Sequence, residues 1–201
     1  MRHMNIVFDL GRVVVRWEPD AVIETVFADP LVRARVRRDV IDHPDWLELD
    51  RGTLAPATAV TRAAQRTGLP ADALALFMRR VPPSLTPITG TIDLLHRLKA
   101  RGHTLFCLSN MHAASIEYLE RTQTFWDAFA GKVISCRVQL CKPEPAIYAH
   151  LLGAFGLDAT ATVFIDDLDV NLSAAARFGI LTIRFEDPAQ CERELRTLGC
   201  L

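Results

Sequence analysis

What is scarce narrows the reading first. The chain has five cysteines, Cys107, Cys136, Cys141, Cys191 and Cys200, an odd number with no CxxC pair. No Cys/His cluster of zinc-type spacing surrounds Cys136 and Cys141, so reduced structural thiols are expected rather than a disulfide frame or a zinc site. No apolar run approaches the length of a membrane span, and the N-terminus MRHMNIVFDLG enters a strand at once without a signal-peptide segment. Neither sign of charge dominates: Lys plus Arg total 23 against 24 for Asp plus Glu. A polyanion partner or a membrane surface is therefore not indicated. The most basic stretch, Arg33 to Arg38 (RARVRR), has no interleaved aromatics and reads as the solvated face of a helix. No internal repeat is found. These absences leave a soluble, cytoplasmic globular protein as the expectation, with no nucleic-acid or membrane partner.

What is present is a change of pattern along the chain. Ile6, Val7 and Phe8 form a short apolar run that ends in Asp9 and is bounded by Gly11. After Val15 the pattern turns helical as far as about Val81, in five amphipathic segments: EPDAVIETVFA, PLVRARVRRDVI, PDWLELDR, APATAVTRAAQRTG and PADALALFMRRV. Pro82, Pro83 and Pro87 mark the exit and an expected hinge. From there helices and strands alternate. Helices are expected over Thr89–Arg101, Ala113–Arg121, Pro145–Phe155, Asn171–Phe178 and Ala189–Leu198. Strands are expected over Thr104–Leu108, Val133–Ser135, Thr162–Ile165 and Leu181–Phe185. Such alternation predicts an α/β fold, a parallel sheet with helices on both faces and a small helical insertion after the first strand.

Three apolar strands end in polar residues: Asp9, Ser109-Asn110, and Asp166-Asp167. In a parallel sheet those ends share one edge, where ligands bind. Lys142, in CKPEPAIY, adds a cation. Carboxylates, a hydroxyl, an amide and a lysine at one edge suit phosphoryl transfer. The carboxylates can hold a hard divalent cation, the lysine can offset charge, and one carboxylate can attack phosphorus. Each residue alone has a plainer reading: a helix cap for Ser109-Asn110, a surface lysine for Lys142, a turn for Asp166-Asp167, an exposed helix position for Asn171.

Taken together these motifs resemble those of the haloacid dehalogenase superfamily, over essentially the whole chain. FDLGRVVV matches the first motif, LSN the second, KPEPAIY the third and FIDDLDVN the fourth. DRGTLAPATA and PITGTIDLLHRLKARGH resemble the small sugar-1-phosphate phosphatase-like branch. The resemblance implies a Rossmann-like core over residues 1–16 and 87–201 and a helical cap over 17–86. It implies hydrolysis of a small phosphorylated metabolite with Mg²⁺, through Asp9 as nucleophile. Lys142 would be catalytic and, with Ser109, Asn110 and Gly11, would bind phosphate. Asp9, Asp167, Asp166 and the Gly11 carbonyl would hold the metal. Oligomeric state is left open.

One position departs from the pattern. Most phosphatases of this family carry a second aspartate two residues after the nucleophile, and here that residue is Gly11. Acid–base help of this kind is worth roughly 10²–10⁴-fold. Its loss predicts either a preference for easy leaving groups or a substitute from the cap, for which His43, Asp45, Glu48 and Asp50 are candidates, each read as an exposed cap-helix residue. Arg12 could reach a phosphate or turn to solvent, Trp17 could wall the pocket or fill a hinge, and Gln139 and Cys141 have no assigned role. Two alternatives stand beside the phosphatase: a metal-independent 2-haloacid dehalogenase, and a non-catalytic phosphometabolite-binding protein. A phosphomutase is disfavoured, because it relies on the missing acid.

Overall fold

The computed structural model describes residues 3–201. Its centre is a five-stranded, all-parallel sheet in the order β3-β2-β1-β4-β5. The strands are β1 (Asn5–Phe8), β2 (Thr104–Ser109), β3 (Gly131–Ile134), β4 (Thr162–Asp166) and β5 (Leu181–Arg184). The first strand lies in the middle because its side chains are apolar on both faces. Ile6 and Phe8 join Leu105, Cys107, Val163 and Ile165 on one side, while Val7 packs with Phe106, Leu108 and Phe164 on the other. Phe8 is in register with Cys107 and with Ile165, so the residues just beyond them come side by side at one sheet edge.

Between β1 and β2 the chain forms α1 (Pro19–Glu24), α2 (Pro30–Val36), α3 (Pro44–Arg51), α4 (Pro56–Thr67) and α5 (Ala71–Ser84), with a π-helical turn over Arg37–Ile41 prolonging α2. Four of them start with proline in the first turn, where a missing N–H costs nothing. Val22, Ile23, Val36, Leu74 and Phe77 give these helices a hydrophobic cluster of their own. Along the rest of the chain come α6 (Thr89–Ala100), α7 (Ala113–Thr122), α8 (Ser135–Val138), α9 (Pro145–Phe155), α10 (Asp169–Ala176) and α11 (Pro188–Thr197).

Three sequence expectations need correcting. Ser135 is the first residue of α8 rather than the end of a strand. Its hydroxyl accepts from the Met111 N–H and donates to the Asp50 carbonyl, which draws the chain off the sheet. Pro82 and Pro83 do not lie beyond the last inserted helix. They sit in the last turn of α5, which runs on to Ser84, and the chain leaves through Leu85 to Pro87. Finally, α10 starts at Asp169, not Asn171, because the Asp166 carboxylate accepts from the Leu168 N–H and turns the chain at once.

Candidate active site

Asp9 is the first residue beyond β1, tied to the neighbouring strand by its N–H donating to the Ile165 carbonyl at 2.9 Å. One carboxylate oxygen, Oδ1, accepts from the Leu10 N–H at 2.7 Å and lies 2.9 Å from Lys142 Nζ. The same ammonium donates to Asp166 Oδ2 at 2.7 Å and stands 5.4 Å above the Phe164 ring. Lys142 is therefore no surface lysine: it is 3% exposed and bridges two carboxylates from adjacent strands. Asn110 holds it there. The Asn110 side chain accepts from the Lys142 N–H and donates to the Lys142 carbonyl, both at 2.9 Å. With its amide engaged at both ends, Asn110 can offer a phosphate its backbone, while its side chain positions the lysine.

The two acids after β4 play different parts. Asp166 is fully buried, and both its oxygens are engaged by Lys142, by the Leu168 N–H and by Asn171 Nδ2. Asn171 is thus a buried partner of the site, not an exposed helix residue. Asp167 is half-buried, with the Arg12 guanidinium 3.7 Å from its carboxylate. One carboxylate oxygen each from Asp9, Asp166 and Asp167 lies within 4.8 Å of the others, a donor set suited to a hard cation. Beside them the Ser109 hydroxyl is buried and has no hydrogen-bond partner. An orphaned buried hydroxyl is costly unless a ligand satisfies it.

The charges respond to this crowding. Burial pushes the Asp9 carboxyl up to about 7, with Asp166 and Asp167 adding to the rise and Lys142 opposing it. Desolvation would lower the Lys142 ammonium, but Asp9 and Asp166 together outweigh it and hold the pKa above its usual value. The Asp167 carboxyl is also raised, by burial first and by Asp166 second. Added positive charge would relieve both carboxyls.

Between the sheet edge at Gly11 and Asn110 and the inserted helices lies a cavity of about 60 Å³. Gly11 contributes its backbone, Trp17, Trp46, Val81, Leu85 and Met111 its apolar walls, and Asp50, Asn110, His112 and Ser115 its polar groups. Trp17 therefore does wall the pocket, and stacks on Trp46 with ring centroids 5.9 Å apart. Arg12 takes neither expected role cleanly. It is exposed, donates to the Trp17 carbonyl, and flanks Asp167.

None of the four candidates on the inserted helices is the freely exposed residue expected. His43 caps α3 by accepting from the Asp45 N–H. Asp45 is held by Arg62 and Arg66, and Glu48 by Thr53 and Arg51. Only Asp50 lines the cavity. The contributions of Trp46, His112 and Ser115 were invisible in the sequence, where a tryptophan in a cap helix and a histidine before a helix carry no signal of their own.

The haloacid dehalogenase-like hydrolase family model matches residues 8–179, the span from the last residue of β1 to just past α10. The chain belongs to this family. Among curated relatives of this hydrolase, the sesquiterpene phosphatase astK of Aspergillus oryzae is 28% identical over 195 residues, covering 96% of both chains. Solved structures share the fold. A Bacteroides thetaiotaomicron HAD family enzyme in complex with magnesium and inorganic phosphate superposes with a TM-score of 0.71 at 22% identity, covering 92% of this hydrolase and 94% of that chain. The L-2-haloacid dehalogenase of Xanthobacter autotrophicus does so with a TM-score of 0.68 at 19% identity, covering 97% and 83%. Among the described residues of this hydrolase no helix is long and apolar enough to cross a membrane.

Proposed function

We propose that this hydrolase cleaves the phosphate monoester of a small metabolite, with Mg²⁺, through a phosphoryl group carried on Asp9. The carrying observation is the buried Lys142 ammonium between Asp9 and Asp166, with Asp167 completing an acidic trio. Asp9 keeps one oxygen held by the Leu10 N–H and Lys142, which leaves the other to attack phosphorus. Ser109 and the backbone beyond it would bind the phosphoryl oxygens, satisfying the unpartnered hydroxyl. Lys142 would neutralise charge on the transferring group, and Asn110 and Asp166 keep it in place. Asp9, Asp167 and the Gly11 carbonyl would hold the Mg²⁺, with Asp166 set behind them by its existing bonds. When bound, the ion would supply Lewis-acid stabilisation of the phosphoryl oxygens. The division into a 1–16 plus 87–201 core and a 17–86 cap belongs to the same proposal, and the separate hydrophobic cluster of the inserted helices supports it.

The dehalogenase alternative has no use for three converging carboxylates, so the acidic trio argues against it. On substrate class, five apolar walls favour an ester with an apolar organic group, prenyl or aryl, over a sugar phosphate. The similarity along the full length to a phosphatase named for a sesquiterpene substrate points the same way.

The test is phosphate release from prenyl, aryl and sugar phosphates, with and without Mg²⁺, in the wild type and in Asp9→Asn. Hydrolysis that needs Mg²⁺ and vanishes in the variant supports the proposal. Metal-independent halide release from 2-chloropropionate, or no turnover of any ester, refutes it.

A further inference from the structure

Gly11 leaves the site without a group to protonate the leaving oxygen, yet the cavity it opens onto is not without an acid. Asp50, at the end of α3, lines the same cavity as Gly11 and is half-buried there. The cap end that carries it is fastened to the core on three sides. Ser135 Oγ donates to the Asp50 carbonyl at 2.5 Å. Arg51 makes two bonds to Glu144, at 2.9 and 2.5 Å. Gly52, at φ +81°, packs so closely that a Cβ would lie 2.6 Å from the Cys136 carbonyl oxygen. The backbone N–H of His112, the residue before α7, favours the charged form of the Asp50 carboxyl.

We infer that Asp50 is the general acid and base of this hydrolase, supplied from the cap in place of the carboxylate absent at position 11. This rests on the phosphatase reading of the site. The electrostatics suit the role. Burial lifts the Asp50 carboxyl to about 7, with the field of Asp9 adding to the rise and the His112 N–H opposing it. A carboxyl in that range can give and take a proton near neutral pH. His112 is unsuited to such proton transfer, because burial lowers its imidazole to about 4 and its Nε2 is engaged with Ser115 Oγ at 3.0 Å.

The proton balance closes over two steps. As the free Asp9 oxygen bonds to phosphorus, the bond from phosphorus to the ester oxygen breaks, and the Asp50 carboxylic acid gives its proton to that oxygen, releasing the alcohol. Asp50, now a carboxylate, takes a proton from the water that attacks the phosphoryl-Asp9. Inorganic phosphate leaves, Asp9 is a carboxylate again and Asp50 is again protonated.

The two steps make separable predictions for Asp50→Asn, with p-nitrophenyl phosphate and an alkyl phosphate as probes in the presence of Mg²⁺. With the aryl ester, whose leaving group needs no acid, one equivalent of nitrophenolate is released in a burst. The phosphorylated protein then accumulates, visible by mass, and turnover falls about 10²–10⁴-fold. With the alkyl ester there is no burst, and turnover falls at least as far. The variant keeps its cap, read as an unchanged far-ultraviolet spectrum and a melting temperature no lower than wild type. Turnover of the alkyl ester within threefold of wild type overturns the assignment, as does a loss on the aryl ester without burst or phosphoprotein. A wild-type protein inert toward both esters would refute the phosphatase reading itself, and with it this assignment.

Discussion

Arg51 and Glu144 meet fork to fork across the junction between the inserted helices and the rest of the chain, with Nη1 2.9 Å from Oε2 and Nη2 2.5 Å from Oε1. The pair joins the last residue of α3 to the residue that precedes α9, just beyond Lys142 in the chain. Glu48 adds a second carboxylate to the same guanidinium at 3.3 Å, and the Gln139 carbonyl accepts from it as well.

Because Glu144 is 41% exposed at its side chain, the pair is worth only about 1 kcal/mol of stability. Its larger effect is on geometry, since it sets where Asp50 stands. Arg51→Met is expected to lower stability by about that amount and kcat by roughly tenfold or more. Arg51→Lys, which cannot form a fork, should fall between wild type and Met. Denaturant unfolding and steady-state kinetics on an aryl phosphate check this. A Met variant with wild-type kcat would mean the contact does not position the cap.

Gly52 tests the same junction by sterics. Its φ of +81° is disfavoured for any residue with a Cβ, and the added carbon would press on backbone at Cys136. Gly52→Ala is expected to cost about 1–3 kcal/mol and to reduce kcat together with stability. By contrast Gly68→Ala, also at positive φ but with nothing within 4 Å, should cost less and leave kcat alone. Equal losses in the two variants would count against close docking at Gly52.

The buried Asp50 carboxyl also has a signature in stability. Its folded pKa of about 7 stands above the ordinary 3.8, so the folded chain binds more protons than the unfolded one between those values. Its contribution therefore falls as pH rises through that window, and the cost is complete above about pH 7. The span between the two values sets a ceiling of about 4 kcal/mol. Asp50→Asn should melt higher than wild type at pH 8 and equally near pH 4. His112 is present in both proteins, so its own titration largely cancels in the difference, whereas the part of the rise due to Asp9 is included in it. Equal melting temperatures at pH 8 would show that the carboxylate is not penalised.

Gly11 offers the complementary experiment. A Cβ there would find only Trp17 Cβ, at 4.0 Å, so the position has room for a side chain. Gly11→Asp placed in the Asp50→Asn background is expected to recover at least tenfold of the lost turnover on an alkyl phosphate. No recovery, in a variant that still phosphorylates Asp9 from the aryl ester, would show that a carboxylate at position 11 cannot reach the leaving oxygen in this site.

Much of this protein was readable in one dimension. The apolar runs ending in Asp9, Ser109 and Asp166 specified parallel strands with a common polar edge, because each strand is buried on both faces and can pair only inside a sheet. Helix starts were equally plain wherever proline or an acid preceded an amphipathic run. The acidic trio and the lysine followed from the same local signals.

Other features were settled by tertiary contacts alone. Ser135 reads as strand by composition and becomes a helix start because its hydroxyl serves both Met111 and Asp50. Asn110 reads as a ligand residue and spends its amide on the Lys142 backbone. Asp50 is indistinguishable in sequence from its neighbours Asp45 and Glu48. It alone lines the cavity because Ser135, Glu144 and Cys136 seat the end of α3 against the core, and burial there, not residue type, sets its pKa. Which carboxylate can replace the one missing at Gly11 is thus a property of how the inserted helices dock, while the fold and the placing of Asp9 at a strand end belong to the sequence.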